Sequence, residues 1–165
     1  MTQISIIQGD ITKQKVDAIV NAANTSLRGG GGVDGAIHRA AGPRLDNACQ
    51  RLGGCATGEA KTTPGFDLPA KYIIHTPGPI WQGGQNNEAQ LLSNCYQNSV
   101  LEAQKHGCHS LAFPSISTGI YGYPLQLAAK VALSAIKSTQ TQLQVYFVCF
   151  DTITYQKYQQ TLKEM

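Results

Sequence analysis

A chain of 165 residues, 42% of them hydrophobic and 14% charged, is long enough to bury about 70% of the surface its unfolded form exposes, and needs no cross-links to do so. Thirteen basic residues against ten acidic ones leave a formal charge of +3, and the densest basic grouping is Lys13 with Lys15; that is too diffuse for a nucleic-acid footprint but compatible with an anionic small molecule. Five cysteines, an odd number with no CxxC pair, indicate neither a disulfide framework nor a zinc knuckle and point to a reducing compartment.

The opening residues MTQISIIQGDIT have no basic leader ahead of an apolar core, so no signal peptide is expected. No run approaches the roughly 18 apolar residues of a membrane span. A soluble, cytoplasmic protein is the expectation.

The first strand is expected over Ile4 to Gln8, an apolar run closed by turn residues. Asp10 follows it, where a carboxylate could accept a hydrogen bond from a ligand amino group; the residue alone reads more readily as the cap of a helix beginning near Thr12. A second strand is expected over Ala18 to Ala22, with Asn21 and Asn24 at its end, where their carboxamides offer donor and acceptor to sugar hydroxyls.

Gly29 to Gly32 come next. Without side chains, their amides can lie against a ligand that a β-carbon would obstruct. They enter a helix expected from Asp34 to Ala41, and unpaired amides at a helix start favour phosphate or diphosphate. A flexible linker fits poorly between a buried strand and an alanine-rich helix. Gly30, Gly32 and Gly35 also match GxGxxG, but they do not directly follow the first strand and no acidic residue stands at a later strand end, which disfavours a dinucleotide site. No GK[ST] follows, so a P-loop is excluded. Asp34 and His38 are four apart and share a helix face. Together they could deprotonate a water beside a phosphate, or serve as a simple cap and a surface residue.

A second short helix is expected at Arg44 to Leu52, a weak strand around Glu59 to Thr63, and a strand at Tyr72 to Thr76. Helical period appears from Asn87 to His106, with Leu92, Cys95, Tyr96, Ser99, Val100 and Ala103 on one face, and Gly107 stops it. His106, Cys108 and His109 are the one metal-like grouping, but neighbours on a strand entry point to opposite faces, so no metal site is read. A strand at Ser110 to Pro114 leads into SISTGIYGYP, Ser115 to Pro124, a second small, amide-rich turn with Tyr121 able to cover a sugar face. A helix at Leu125 to Lys137, a strand at Leu143 to Phe150 and a helix from about Tyr155 complete the chain.

Strands alternating with helices predict an α/β layer fold in one domain, residues 1–165, with its ligand crevice beyond the carboxyl ends of the strands.

Taken together, GDIT at Gly9 to Thr12, VDAIVNAAN at Val16 to Asn24, SLRGGGGVDGAIHRAAG at Ser26 to Gly42, TGEAKTTPGFDLPAKYIIH at Thr57 to His75 and STGIYGYP at Ser117 to Pro124 closely resemble the macrodomain family, and within it the MacroD-type hydrolases of ADP-ribose derivatives. The resemblance implies a three-layer α/β/α sandwich with a mixed central sheet. It implies that Asp10 binds the adenine amino group beside the Ile11 backbone, reversing the bare-cap reading. Gly31, Gly32 and Val33 from one loop and Ser117, Thr118, Gly119, Ile120 and Tyr121 from the other would hold the diphosphate. Asn24 would orient the distal ribose, Asp34 would activate water, His38 would support that site, Tyr121 would pack on the distal ribose and Phe150 would stack near adenine.

The implied reaction is hydrolysis of an ester at the distal ribose, as in O-acetyl-ADP-ribose or a mono-ADP-ribosylated acidic side chain of a protein, with no metal or redox cofactor. The sequence departs from the family at Thr152-Ile153-Thr154, where relatives more often carry acidic or amide residues, and at Pro77, usually aliphatic. The alternative within the family is a reader that binds ADP-ribose without turnover; it would need the amide loops and Asp10 but not the set Asn24, Asp34 and His38.

Overall fold

The computed structural model describes residues 2–165. Six strands, β1 (Gln3–Gln8), β2 (Ala18–Ala23), β3 (Lys61–Pro64), β4 (Tyr72–Pro77), β5 (Ser110–Phe113) and β6 (Gln144–Cys149), form one sheet in the order β1-β6-β5-β2-β4-β3. Every neighbouring pair is parallel except β3 with β4. Helices α1 (Gly32–Ala41) and α2 (Arg44–Leu52) cover one face; α3 (Glu88–Lys105), α4 (Leu125–Thr139) and α5 (Thr152–Lys163) cover the other. The result is a three-layer α/β/α sandwich around a mixed sheet.

The central strands are apolar on both sides because both sides are covered. In β2, Ala18 and Val20 enter the core beneath α3 and α4, whereas Ile19 and Ala23 enter the core beneath α1 and α2. The first core is built around a cluster of rings, with Phe113 and Phe147 stacked at 5.6 Å between centroids and Tyr96 tilted against Phe113 at 5.0 Å. No helix among the described residues is long and apolar enough to cross a membrane.

Some element ends differ from the expectation. Helix α1 begins at Gly32 with Gly31 as its N-cap, so Asp34 sits inside the first turn and caps nothing. Helix α5 begins at Thr152 and not near Tyr155, because the Asp151 carboxylate accepts the Thr154 N–H at 2.7 Å. The weak strand runs from Lys61 to Pro64, two residues on from Glu59, since these four pair with Tyr72 to His75. Pro77 lies past the end of that pairing, where its missing N–H costs no ladder bond on the β3 side.

One irregularity of the sheet creates the site. Strands β2 and β5 pair over only two positions, Ala18 with Leu111 and Ile19 with Ala112, and then diverge as β2 runs on to Ala23. The chain steps outward from this point in both directions, to β4 on one side and β6 on the other. Such a switch point opens a crevice at the carboxyl ends of the strands.

Candidate functional site

A cleft of about 760 Å³ lies over that opening, within the size range of small-molecule sites. Its walls include Asp10, Ile11, Asn24, Gly31, Gly32, Val33, Asp34, Ser117, Thr118, Gly119, Ile120, Tyr121 and Phe150. Asn21 and His38 are not on its walls.

Asp10 caps after all, and is in the cleft as well. Its Oδ1 accepts from the Thr12 hydroxyl at 2.7 Å and the Thr12 N–H at 2.9 Å, which fixes the single turn Ile11–Lys13. Those two bonds hold its pKa below the usual carboxylate range. Phe150, just past β6, is 82% exposed on the same wall, a large apolar ring that burial does not explain.

The glycine run forms the start of α1. The first amides of a helix have no partner inside it, and here they belong to Gly32 and Val33 at the cleft wall. Asn24 organises the approach to them: its Oδ1 accepts from the Leu27 N–H at 3.0 Å and the Ser26 hydroxyl at 2.7 Å, and its Nδ2 donates to the Gly29 carbonyl at 3.0 Å. One Nδ2–H bond remains. A β-carbon on Gly30 would be tight, 3.2 Å from Asp34 Oδ2, and in ordinary contact with Asn24 Nδ2 at 3.4 Å.

The second loop faces the first. The N–H groups of Ser117 to Tyr121 find no acceptor among the described residues, and the loop is rooted from below. Tyr96 in α3 accepts the Ile116 N–H at 3.1 Å, and Tyr158 in α5 bonds the Ser115 hydroxyl at 2.9 Å, which in turn accepts from Thr118 at 2.8 Å. Ser117 is held at φ 68°. The loops nearly touch across the cleft, with Ile120 Cδ1 3.7 Å from where a β-carbon of Gly31 would be.

Asp34 is 5% exposed. Its Oδ1 accepts from Asn21 Nδ2 at 2.8 Å and lies 3.4 Å from His38 Nε2, close but not hydrogen-bonded. Burial raises its pKa, opposed by the Asn21 bond and by the charge of His38. Burial therefore outweighs the Asn21 bond and the His38 charge, both of which favour the ionised form. His38 supports the loop sterically, its ring lying beneath Gly29.

Asn21 departs from the expectation that it faces a sugar. It is fully buried under the sheet end, on the face covered by α1 and α2, and its amide is committed to Asp34 and to His75 Nδ1 at 3.2 Å. The reason is strand alternation: Asn24 lies beyond the end of β2, whereas Asn21 is inside it and points into a packed layer.

Sequence reasoning also passed over residues that the fold brings to the site. Gly78 lines the cleft against Ser117, and its signal was the Pro77-Gly78-Pro79 turn closing a strand. Arg39 is the one basic side chain on the walls, a turn past Gly35 on α1. His75 and Thr63 lie fully or nearly buried behind Asn21; the only signal was a polar residue inside the apolar run YIIHT. Among the described residues no three His, Cys, Asp or Glu side chains converge as a metal site, the grouping at His106 to His109 included.

Comparison with known proteins agrees with this architecture. The Macro domain family model matches residues 20–132. The chain belongs to the macrodomain family. It is 63% identical over 159 residues to a Macro domain-containing protein of Lactiplantibacillus plantarum, covering 93% of this chain and 92% of that one. It is 52% identical over 171 residues to a Salmonella typhimurium protein named O-acetyl-ADP-ribose deacetylase, covering 99% and 96%. Among solved structures, the Oceanobacillus iheyensis macrodomain with ADP superposes with a TM-score of 0.94 at 46% identity, over 98% of this chain and 90% of that one.

Proposed function

We propose that this macrodomain binds ADP-ribose and hydrolyses esters at its distal ribose, deacetylating O-acetyl-ADP-ribose and releasing mono-ADP-ribose from acidic side chains of proteins. The observation that carries this reading is Asp34: a buried carboxylate of raised pKa, at the start of a helix whose free amides face a cleft, with one oxygen tied to Asn21 and the residue itself on the cleft wall that Asn24 also lines. The name of the Salmonella relative supports the substrate, and the ADP of the Oceanobacillus structure supports the ligand class.

In this reading Asp10 accepts from the adenine amino group beside the Ile11 backbone, and Phe150 stacks on the ring. The amides of Gly31 to Val33 and of Ser117 to Tyr121 hold the diphosphate from both sides. Asn24 gives its remaining N–H to a distal ribose hydroxyl while Tyr121 covers the sugar. Asp34 Oδ2 takes a proton from water as the water oxygen bonds to the acyl carbon. The intermediate collapses by breaking the bond to the ribose oxygen, which takes the proton back from Asp34, leaving a carboxylic acid and ADP-ribose. Water and one carboxylate complete the proton balance. A cytoplasmic setting belongs to the same proposal, supported by five free thiols.

Asp34→Asn tests it, because the carboxamide oxygen can still accept from Asn21 but cannot take a proton. Deacetylation should fall by about 10²-fold or more while calorimetry gives ADP-ribose affinity within a few-fold. Turnover close to that of the wild type would remove Asp34 as the base. Absence of turnover in the wild type, with ADP-ribose bound, would leave a reader.

A further inference from the structure

We infer that His75 is a positioning residue for the hydrolysis proposed above, locking the Asn21 carboxamide with its N–H bonds outward so that one of them fixes Asp34 Oδ1. The inference rests on that functional reading. It begins from register: Asn21 on β2 and His75 on β4 are direct partners across the parallel ladder, so their side chains emerge side by side on the face covered by α1 and α2.

Asn21 Nδ2 carries two hydrogens and meets two acceptors, Asp34 Oδ1 at 2.8 Å and His75 Nδ1 at 3.2 Å. Turning the amide over would put its carbonyl against the Asp34 carboxylate, so Nδ2 is the atom that faces Asp34, and its second N–H meets Nδ1 of His75. Nδ1 can accept only from a neutral ring in the Nε2–H form. Burial favours the neutral ring strongly, pushing the His75 pKa down to about 3. The Nε2–H bond then points at the Thr63 hydroxyl, 2.9 Å away on β3, with Cys49 Sγ at 3.8 Å. A chain of polar contacts thus runs Thr63, His75, Asn21, Asp34, from an antiparallel edge strand to the cleft.

The Asn21 carbonyl oxygen is the telling atom. It is buried with no donor among the described residues, an arrangement that destabilises the fold. An amide placed for stability alone would satisfy its acceptor. Here the Asp34 carboxylate requires Nδ2 toward it, a neutral His75 ring in the Nε2–H form accepts the second N–H, and the carbonyl is left without a donor. The groups facing Asp34 are Asn21 from β2 and His38 from its own helix, and the Cys49 thiol on α2 lies near enough to feel the carboxylate. His75 acts through Asn21.

Three measurements test the inference on the full chain. His75→Phe removes both ring contacts at similar volume. It should lower kcat for O-acetyl-ADP-ribose at least tenfold, leave KM and the ADP-ribose Kd within about threefold, and move the acid limb of the kcat profile; His75→Gln, whose oxygen can accept from Asn21, should recover part of kcat. A merely structural residue would lower thermal stability but leave kcat and its pH profile intact below the melting range, and that outcome overturns the inference. Should His75→Phe fail to fold, Thr63→Val carries the kinetic test: a kcat decrease of threefold or more is expected, and an unchanged kcat counts against the lock. Nitrogen-15 NMR of the wild type should show His75 neutral and protonated on Nε2 through neutral pH. Protonation on Nδ1 would overturn the inference whatever the kinetics. Absence of hydrolysis in the wild type would instead sink the functional reading, leaving the NMR result to judge the lock alone.

Discussion

Replacing Gly78 by alanine perturbs the loop of Ser117 to Tyr121 through a single methyl group. A β-carbon at position 78 would lie 2.2 Å from Ser117 Oγ and 2.5 Å from Ile116 Cγ2, distances at which one side must move. Ordinary contact begins at 3.4 Å. Ser117 Oγ has no hydrogen-bond partner and can turn about χ1, with Ser117 Cβ at an ordinary 3.5 Å, so the overlap falls on Ile116, which is fully buried and has its N–H tied to Tyr96 at 3.1 Å. Overpacking of this kind costs about 1–3 kcal/mol, which for a chain of this size lowers Tm by about 2–4 °C per kcal/mol. Moving Ile116 also shifts the loop that follows it, and with it the amides proposed to hold the diphosphate. Calorimetric titration with ADP-ribose should show a Kd raised at least tenfold, beyond what the stability loss explains at a temperature where the variant is fully folded. An unchanged Tm together with an unchanged Kd would refute the claim that Gly78 is bare to admit Ile116.

Tyr158→Phe removes the hydroxyl that anchors Ser115 from α5; a loss of about 1 kcal/mol in chemical denaturation is expected, with KM raised and kcat preserved, and a fall in kcat alone would contradict the anchoring role. Glu88 is 1% exposed and accepts the N–H groups of Gln82, Gly84 and Asn86; desolvation alone would raise its pKa, but these donors outweigh it and the net shift is downward. A depressed folded pKa contributes stability above the ordinary glutamate range and loses it as pH falls through the folded value, so the stability gap between wild type and Glu88→Gln should be widest at neutral pH and shrink on acidification. A gap that is constant with pH would remove the charge from the explanation. Phe150→Ala should leave Tm nearly unchanged, as its ring is 82% exposed, while weakening ADP-ribose binding by the worth of one stacked base, about 1–3 kcal/mol; equal affinity in calorimetry would take Phe150 out of the site. The raised pKa of Asp34 predicts an acid limb of kcat/KM above the ordinary aspartate range, checked by a pH profile that Asp34→Asn should abolish.

Much of this architecture could be read from local pattern. Apolar runs such as Tyr72 to Thr76 and the helical face from Leu92 to Ala103 announce a layered α/β fold because burial on both sides of a sheet leaves little choice of residue. The glycine run likewise announces a side-chain-free approach to a helix, and Gly30 to Gly32 do line the cleft at the start of α1. What resisted reading depends on direction. Asn21 and Asn24 look equivalent in sequence, yet one points down into a packed layer and the other organises the loop above it. Asp34 has the sequence pattern of a cap because the glycine run does not mark where the helix begins, which is at Gly32. His75, Thr63 and Tyr158 are joined to the cleft only across strand and helix pairings, contacts between residues far apart in the chain that no local motif encodes.

The same geometry explains why the cleft has so few cations. Arg39 is the one basic side chain on its walls, although the proposed ligand carries a diphosphate. A lysine or arginine beside the phosphates would also stand near Asp34 and lower its pKa, weakening it as a base. Backbone amides offer the anion partial charges smaller than the full charge of a lysine or arginine, so in the proposed reading they would hold the diphosphate while burial still raises the pKa of Asp34. Once bound, the anion itself adds to that rise by disfavouring a second negative charge nearby. Binding through amides and reacting through a buried carboxylate are therefore two halves of one electrostatic arrangement, and introducing a cation to strengthen the first would damage the second.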